Sequence, residues 1–87
     1  MIETPLHIHL MTTLGCHLCE DAQALLQLYK EQSDYEFSVE LVEVAESEAL
    51  VEKYGIRIPV LVHSLSKQEL AWPFDMEQLA LFIQGST

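Results

Sequence analysis

Leu6, Ile8 and Leu10 alternate with His7, His9 and Met11. This is the two-residue period of a strand, which sends successive side chains to opposite faces of a sheet. The run follows Pro5 and enters a Thr12-Thr13-Leu14-Gly15 loop, so it predicts a first strand. Beyond Gly15 the period changes. Apolar residues fall at Leu18, Ala22, Leu25, Leu26 and Tyr29, with polar Glu20, Gln23, Gln27 and Lys30 between them. That spacing predicts an amphipathic helix from about Cys16 to Gln32.

Ser33-Asp34 breaks the helical pattern, and Phe37-Ser38-Val39-Glu40-Leu41-Val42 returns to alternation with a β-branched and aromatic bias, a second strand. Ser47 is placed to cap a short helix ending at Tyr54. Leu50, Val51 and Tyr54 share one face of it, and Gly55 stands where a left-handed stop is expected. Pro59-Val60-Leu61-Val62-His63 reads as a third strand, Ser64 to Lys67 as a turn, and Gln68 to Trp72 as the returning strand of a hairpin. Asp75 with Gln78 three residues on predicts a capping box, and Phe74 can staple to Leu79, opening a last helix that runs through Ile83. Gly85-Ser86-Thr87 reads as a frayed end.

The predicted order is β-α-β-α-β-β-α, an α/β fold. The first β-α-β unit implies parallel strands joined by a right-handed crossover, and the closing hairpin implies antiparallel ones. A mixed four-stranded sheet with helices on both faces accommodates both. With 87 residues and no linker, repeat or low-complexity segment, a single domain over residues 1–87 is expected.

Charge narrows the partners. Fourteen acidic residues against Lys30, Lys53, Arg57 and Lys67 give a formal net charge of -10, whose field repels phosphates and anionic headgroups. Nucleic acid and membrane surfaces are therefore not expected partners. A basic protein surface would be steered towards the chain, although the acidity also serves solubility alone. Met1-Ile2-Glu3-Thr4-Pro5 lacks the basic and apolar regions of a signal peptide. No apolar run approaches the roughly 20 residues that span a bilayer. Cytoplasmic residence is the expectation, and in that reducing setting two cysteines are more readily reactive than structural.

Cys16-His17-Leu18-Cys19 falls at the predicted junction of loop and helix. Unpaired backbone N–H groups and the positive end of the helix dipole favour a thiolate at Cys16 there. Glu20, Asp21 and the global charge oppose it, and a protonated His17 would support it. Cys19 lies almost one turn along the same face, within reach of a mixed disulfide formed at Cys16. Cys16 is thus the candidate nucleophile, Cys19 the candidate resolving thiol, and His17 either a modulator of the thiolate or a solvated residue.

Three blocks together resemble the glutaredoxin-like family of the thioredoxin fold: Thr13-Leu14-Gly15-Cys16-His17-Leu18-Cys19, Tyr54-Gly55-Ile56-Arg57-Ile58-Pro59-Val60-Leu61, and Trp72-Pro73-Phe74-Asp75. The resemblance covers nearly the whole chain and implies thiol–disulfide oxidoreductase activity linked to glutathione or thioredoxin, with no tightly bound cofactor. It also implies that Pro59 is a cis-proline facing the cysteines, and that Ile58 offers its backbone to an extended substrate. Arg57 is a weaker candidate for holding a substrate carboxylate. The expected partner is a disulfide-containing protein or a low-molecular-weight thiol. Glutathione-using members carry a Lys shortly before the first Cys and a Gly-Gly turn before the last helix, where this chain has Thr12-Thr13 and Trp72-Pro73-Phe74. His17-Leu18 also replaces the usual Pro-Tyr filling. These departures weigh against glutathione as cosubstrate.

Two other readings use the same residues. Cys16, Cys19 and His17 supply three ligands of a zinc, copper or iron–sulfur site, which would need a bridging dimer to close. Alternatively, the domain is a thioredoxin-fold binding protein with spectator thiols. His7 and His9 share a face of the first strand but have no carboxylate or thiol converging on them in sequence, so they are expected to be a packed or partly exposed pair and no metal site is assigned.

Overall fold

The computed structural model describes residues 6–34 and 36–85. Strand β1, Leu6–Thr12, leads into helix α1, His17–Gln32, which is followed by β2, Phe37–Glu43. A single 3-10 turn, Val44–Glu46, precedes α2, Glu48–Tyr54; then come β3, Val60–His63, β4, Glu69–Ala71, and α3, Met76–Gln84. The elements expected from the periodicity are all present, with the 3-10 turn added. Met1–Pro5, Ser86 and Thr87, on which the signal-peptide and frayed-end readings rest, lie outside the described residues.

The sheet runs β2-β1-β3-β4. β1 and β2 are parallel with His9 opposite Glu40, β1 and β3 antiparallel with Met11 opposite Val60, and β3 and β4 antiparallel with Leu61 opposite Leu70. Alternation then divides the core in two. Ile8, Leu10 and Leu61 point to the face covered by α1 and α3, where they meet Ala22, Leu26, Leu79 and Ile83. Met11, Val60 and Val62 point to the opposite face and meet Val44 and Tyr54, the latter from α2. Helices cover both faces, but unequally, since α2 has only seven residues and spans about 10 Å at 1.5 Å per residue.

The helix ends follow their capping residues. Ser47 accepts the Leu50 N–H at 3.3 Å. Asp75 accepts the Gln78 N–H at 2.8 Å, and the Gln78 side chain accepts the Asp75 N–H at 3.1 Å, closing the capping box. Phe74 and Leu79 are buried in one cluster, as a hydrophobic staple requires. Gly55 departs from expectation: its φ of -50° is right-handed, so no left-handed stop forms. What demands glycine is space, because a Cβ there would collide with the Val51 carbonyl oxygen.

Candidate active site

The β1–α1 loop turns at Gly15, whose φ of +79° is costly for a residue with a side chain. The helix begins one residue later than expected, at His17, and Cys16 is its N-cap. That shift changes what the cysteine does. As a cap its Sγ accepts the Cys19 N–H at 3.1 Å, one of the donors that a helix start leaves without an intrahelical partner. Cys16 and Cys19 are joined as a disulfide with Cα atoms 5.2 Å apart, within the span such bonds require.

The two sulfurs stand in different surroundings. Cys19 is 1% exposed and packed in the interior, whereas Cys16 is partly exposed. Oriented N–H groups and solvent access meet only at the outer cysteine. His17 is exposed on the first turn of α1.

The loop is held from an unexpected side. Glu43, at the end of β2, accepts the Leu14 N–H and the Ala45 N–H, each at 3.0 Å. A hydrogen bond from the Thr13 side chain, followed by these backbone donors, holds the Glu43 carboxyl below the usual carboxylate range. Because β2 runs parallel to β1 with Thr12 opposite Glu43, its last carboxylate arrives beside the segment that carries Cys16. Sequence reading missed Glu43, since no local pattern sets it apart from the other acidic residues.

Pro59 is buried, and the Ile58–Pro59 peptide is cis, as is Trp72–Pro73. With Met11 opposite Val60, the start of antiparallel β3 lies at the end of β1 from which the Cys16 loop departs. The register therefore brings the cysteine pair and the Ile58-Pro59 segment to one end of the sheet. The Pro59 carbonyl accepts the Trp72 N–H at 3.0 Å, and the Ile58 N–H donates to the Tyr54 carbonyl at 3.0 Å. The Ile58 amide is thus already engaged inside the protein.

Arg57 is engaged as well. Its guanidinium pairs with Glu69 of β4 and donates to the Lys53 carbonyl at 3.4 Å. Glu69 also accepts the Tyr54 hydroxyl at 3.2 Å. The Arg57 hydrogen bond is the chief cause holding the Glu69 carboxyl below its usual range. Arg57 therefore ties the segment before Pro59 to β4. His7 and His9 lie towards the other end of β1 and do not join this site.

A family model described as Glutaredoxin-like domain (DUF836) matches residues 7–84, which takes in both cysteines and Pro59. The chain belongs to this glutaredoxin-like family. Solved structures agree. The glutaredoxin-like chain is 30% identical to the structural-genomics target protein XcR50 from X. campestris, with a TM-score of 0.75 over 92% of this chain and 99% of that one. It is 26% identical to protein Ne2328 from Nitrosomonas europaea, with a TM-score of 0.73 over 94% and 95% of the two chains. The Trx4 domain of ERdj5, at 16% identity and a TM-score of 0.59 over 94% of this chain and 79% of that one, shares the thioredoxin-like fold. No curated protein matches the sequence. Among the described residues no helix of this glutaredoxin-like domain is long and apolar enough to cross a membrane.

Proposed function

We propose that this chain is a thiol–disulfide oxidoreductase using a dithiol exchange between Cys16 and Cys19. The observation that carries the reading is the asymmetry of the pair: an accessible Cys16 capping α1, and a Cys19 that is 1% exposed behind it. In the reduced protein the Cys16 thiolate attacks one sulfur of a substrate disulfide, forming a mixed disulfide and releasing the other substrate sulfur as a thiolate. Cys19, deprotonated, then attacks the Cys16 sulfur, releasing the second substrate thiolate and closing the Cys16–Cys19 bond. The substrate has gained two electrons, and the protein returns to the dithiol by the same exchange with an external dithiol or two thiols. The Cys19 N–H at Cys16 Sγ favours the thiolate both as attacking group and as leaving group.

The preferred substrate is a disulfide-bearing polypeptide. Leu14 and Ile56 are almost fully exposed and Leu18 is half exposed, all on segments at the site's end of the sheet, where they suit apolar contact with a protein chain. Arg57, the candidate for a glutathione carboxylate, is paired with Glu69. Ile58 and Pro59 are assigned to substrate alignment, with the Ile58 carbonyl as the main-chain acceptor because its N–H is bonded to Tyr54. His17 adds positive charge beside the thiolate when protonated. The net charge of -10 favours a basic partner and disfavours nucleic acid and anionic membranes, and cytoplasmic residence suits a pair that cycles through the dithiol.

The test is trapping. Cys19→Ser should accumulate a mixed disulfide at Cys16, seen by mass spectrometry under non-reducing conditions, while Cys16→Ser should abolish insulin-disulfide reduction. Full turnover with glutathione in Cys19→Ser would overturn the dithiol mechanism in favour of a monothiol one. An inert wild-type pair in both assays would leave a binding domain with spectator thiols.

A further inference from the structure

On β1, His7 and His9 are two residues apart and share one face of the sheet; on neighbouring β2, Ser38 and Glu40 stand opposite them in register. This is the face covered by α2, but α2 packs over Met11, Val60 and Val62 and leaves the histidines partly open. Side-chain exposure is 41% for His7, 29% for His9 and 61% for Glu40. The carboxylate that the sequence could not supply to the histidine pair is therefore delivered by strand pairing. The Glu40 Oε1 lies 3.2 Å from His7 Nε2 and 3.7 Å from His9 Nε2. One ligand atom from each of the three residues falls within 4.8 Å of the others.

We propose that His7, His9 and Glu40 form a binding site for a divalent cation of borderline softness, with Zn²⁺ the best match. Ligand atoms on a tetrahedral zinc, with bonds of about 2.0–2.2 Å, are separated by about 3.3–3.5 Å. The two Glu40 distances bracket that separation, and the ion is admitted once side-chain rotation draws the two imidazole nitrogens, now within 4.8 Å of each other, to the same spacing. Two imidazoles and one carboxylate select against Ca²⁺ and Mg²⁺, which require oxygen ligands, and against Cu⁺, which prefers sulfur. A water completes the coordination from the open side.

Two further features fit. His7 Nδ1 is 2.6 Å from Ser38 Oγ. With Nδ1–H donating to that hydroxyl, Nε2 presents its lone pair towards Glu40, the tautomer and outer partner typical of a metal-bound histidine. Both Nε2 atoms approach the same Glu40 oxygen, and the rings of His7 and His9 stand edge to face with centroids 5.1 Å apart. A simple ion pair would need only one histidine, whereas a cation site needs both. The site is independent of the cysteines, and its bound ion would cross-link β1 to β2.

The experiment uses the oxidised full-length chain, whose closed disulfide keeps both thiols from competing, with Zn²⁺ titrated by calorimetry and the imidazole ¹H–¹⁵N resonances followed by NMR. The expected result is one Zn²⁺ per chain, with both histidines shifting together. Saturable binding should be lost in His9→Gln and in Glu40→Gln, while Ser38→Ala, which removes only the outer hydroxyl, should weaken it on the order of tenfold. All three positions are surface-accessible, and retention of the backbone amide spectrum checks that each variant is folded. Absence of heat and of imidazole shifts up to millimolar Zn²⁺ would overturn the proposal. So would Zn²⁺ binding that His9→Gln leaves unchanged, which would reduce the cluster to a His7–Glu40 pair.

Discussion

At the scale of single residues, position on the helix matters more than cysteine spacing. Cys16 is the N-cap, with its sulfur held by the Cys19 amide, and Cys19 is in the interior. The Cys16 thiol in Cys19→Ser should therefore titrate below the free-thiol value of about 8.5, read by thiolate absorbance against pH. A value at or above it would mean that Glu20, Asp21 and the overall negative charge outweigh the helix terminus. The CxxC motif and its place at a loop–helix junction are readable from sequence. The burial of one sulfur and the partial exposure of the other are not, because they depend on what α1 packs against.

At the scale of elements, the loop bearing Cys16 depends on a residue almost thirty positions away. Glu43→Gln should leave the fold intact but speed hydrogen exchange at the Leu14 amide, because a neutral amide is a weaker acceptor than the carboxylate it replaces. The folded-state pKa of Glu43 is depressed, so the carboxylate contributes its stabilisation above its ordinary unfolded pKa and loses it as pH falls through the lowered folded value. Leu14 protection should accordingly fade in the acid range below about pH 4.5 in the wild type and be insensitive to that titration in Glu43→Gln. The capping box at Asp75 is a separate element with its own consequence. Asp75→Ala should lower unfolding stability by about 1 kcal/mol, measured from the urea midpoint, without changing disulfide exchange. The capping box was readable because both partners lie within one helical turn. The Glu43 anchor was not, because it requires the β1–β2 register.

For the molecule as a whole, stability rests on a thin two-sided core. Leu79 is fully buried between α3 and the sheet. Leu79→Ala should therefore cost about 2–5 kcal/mol, a large fraction of the roughly 5–15 kcal/mol available to a small domain. The net charge of -10 acts over the same scale. Reduction of a basic disulfide substrate should slow as salt rises, while that of an acidic substrate should quicken, and rates measured across an ionic-strength series distinguish steering from local contacts.

By itself the sequence determined the succession of strands and helices, the N-terminal caps at Ser47 and Asp75, and the placement of two cysteines at a helix start. All of these depend on residues within a turn or two of one another, where periodicity and spacing carry the information. Tertiary structure decided which groups from distant segments meet. Parallel pairing brought Glu43 to the Cys16 loop and Glu40 to His7 and His9, antiparallel pairing brought Pro59 to the same end of the sheet, and β4 brought Glu69 to Arg57. The physical reason is that strand register is set by global burial of alternating faces, and a one-residue slip would move the strand side chains among these, His7, His9, Glu40, Glu43 and Glu69, to the other side of the sheet.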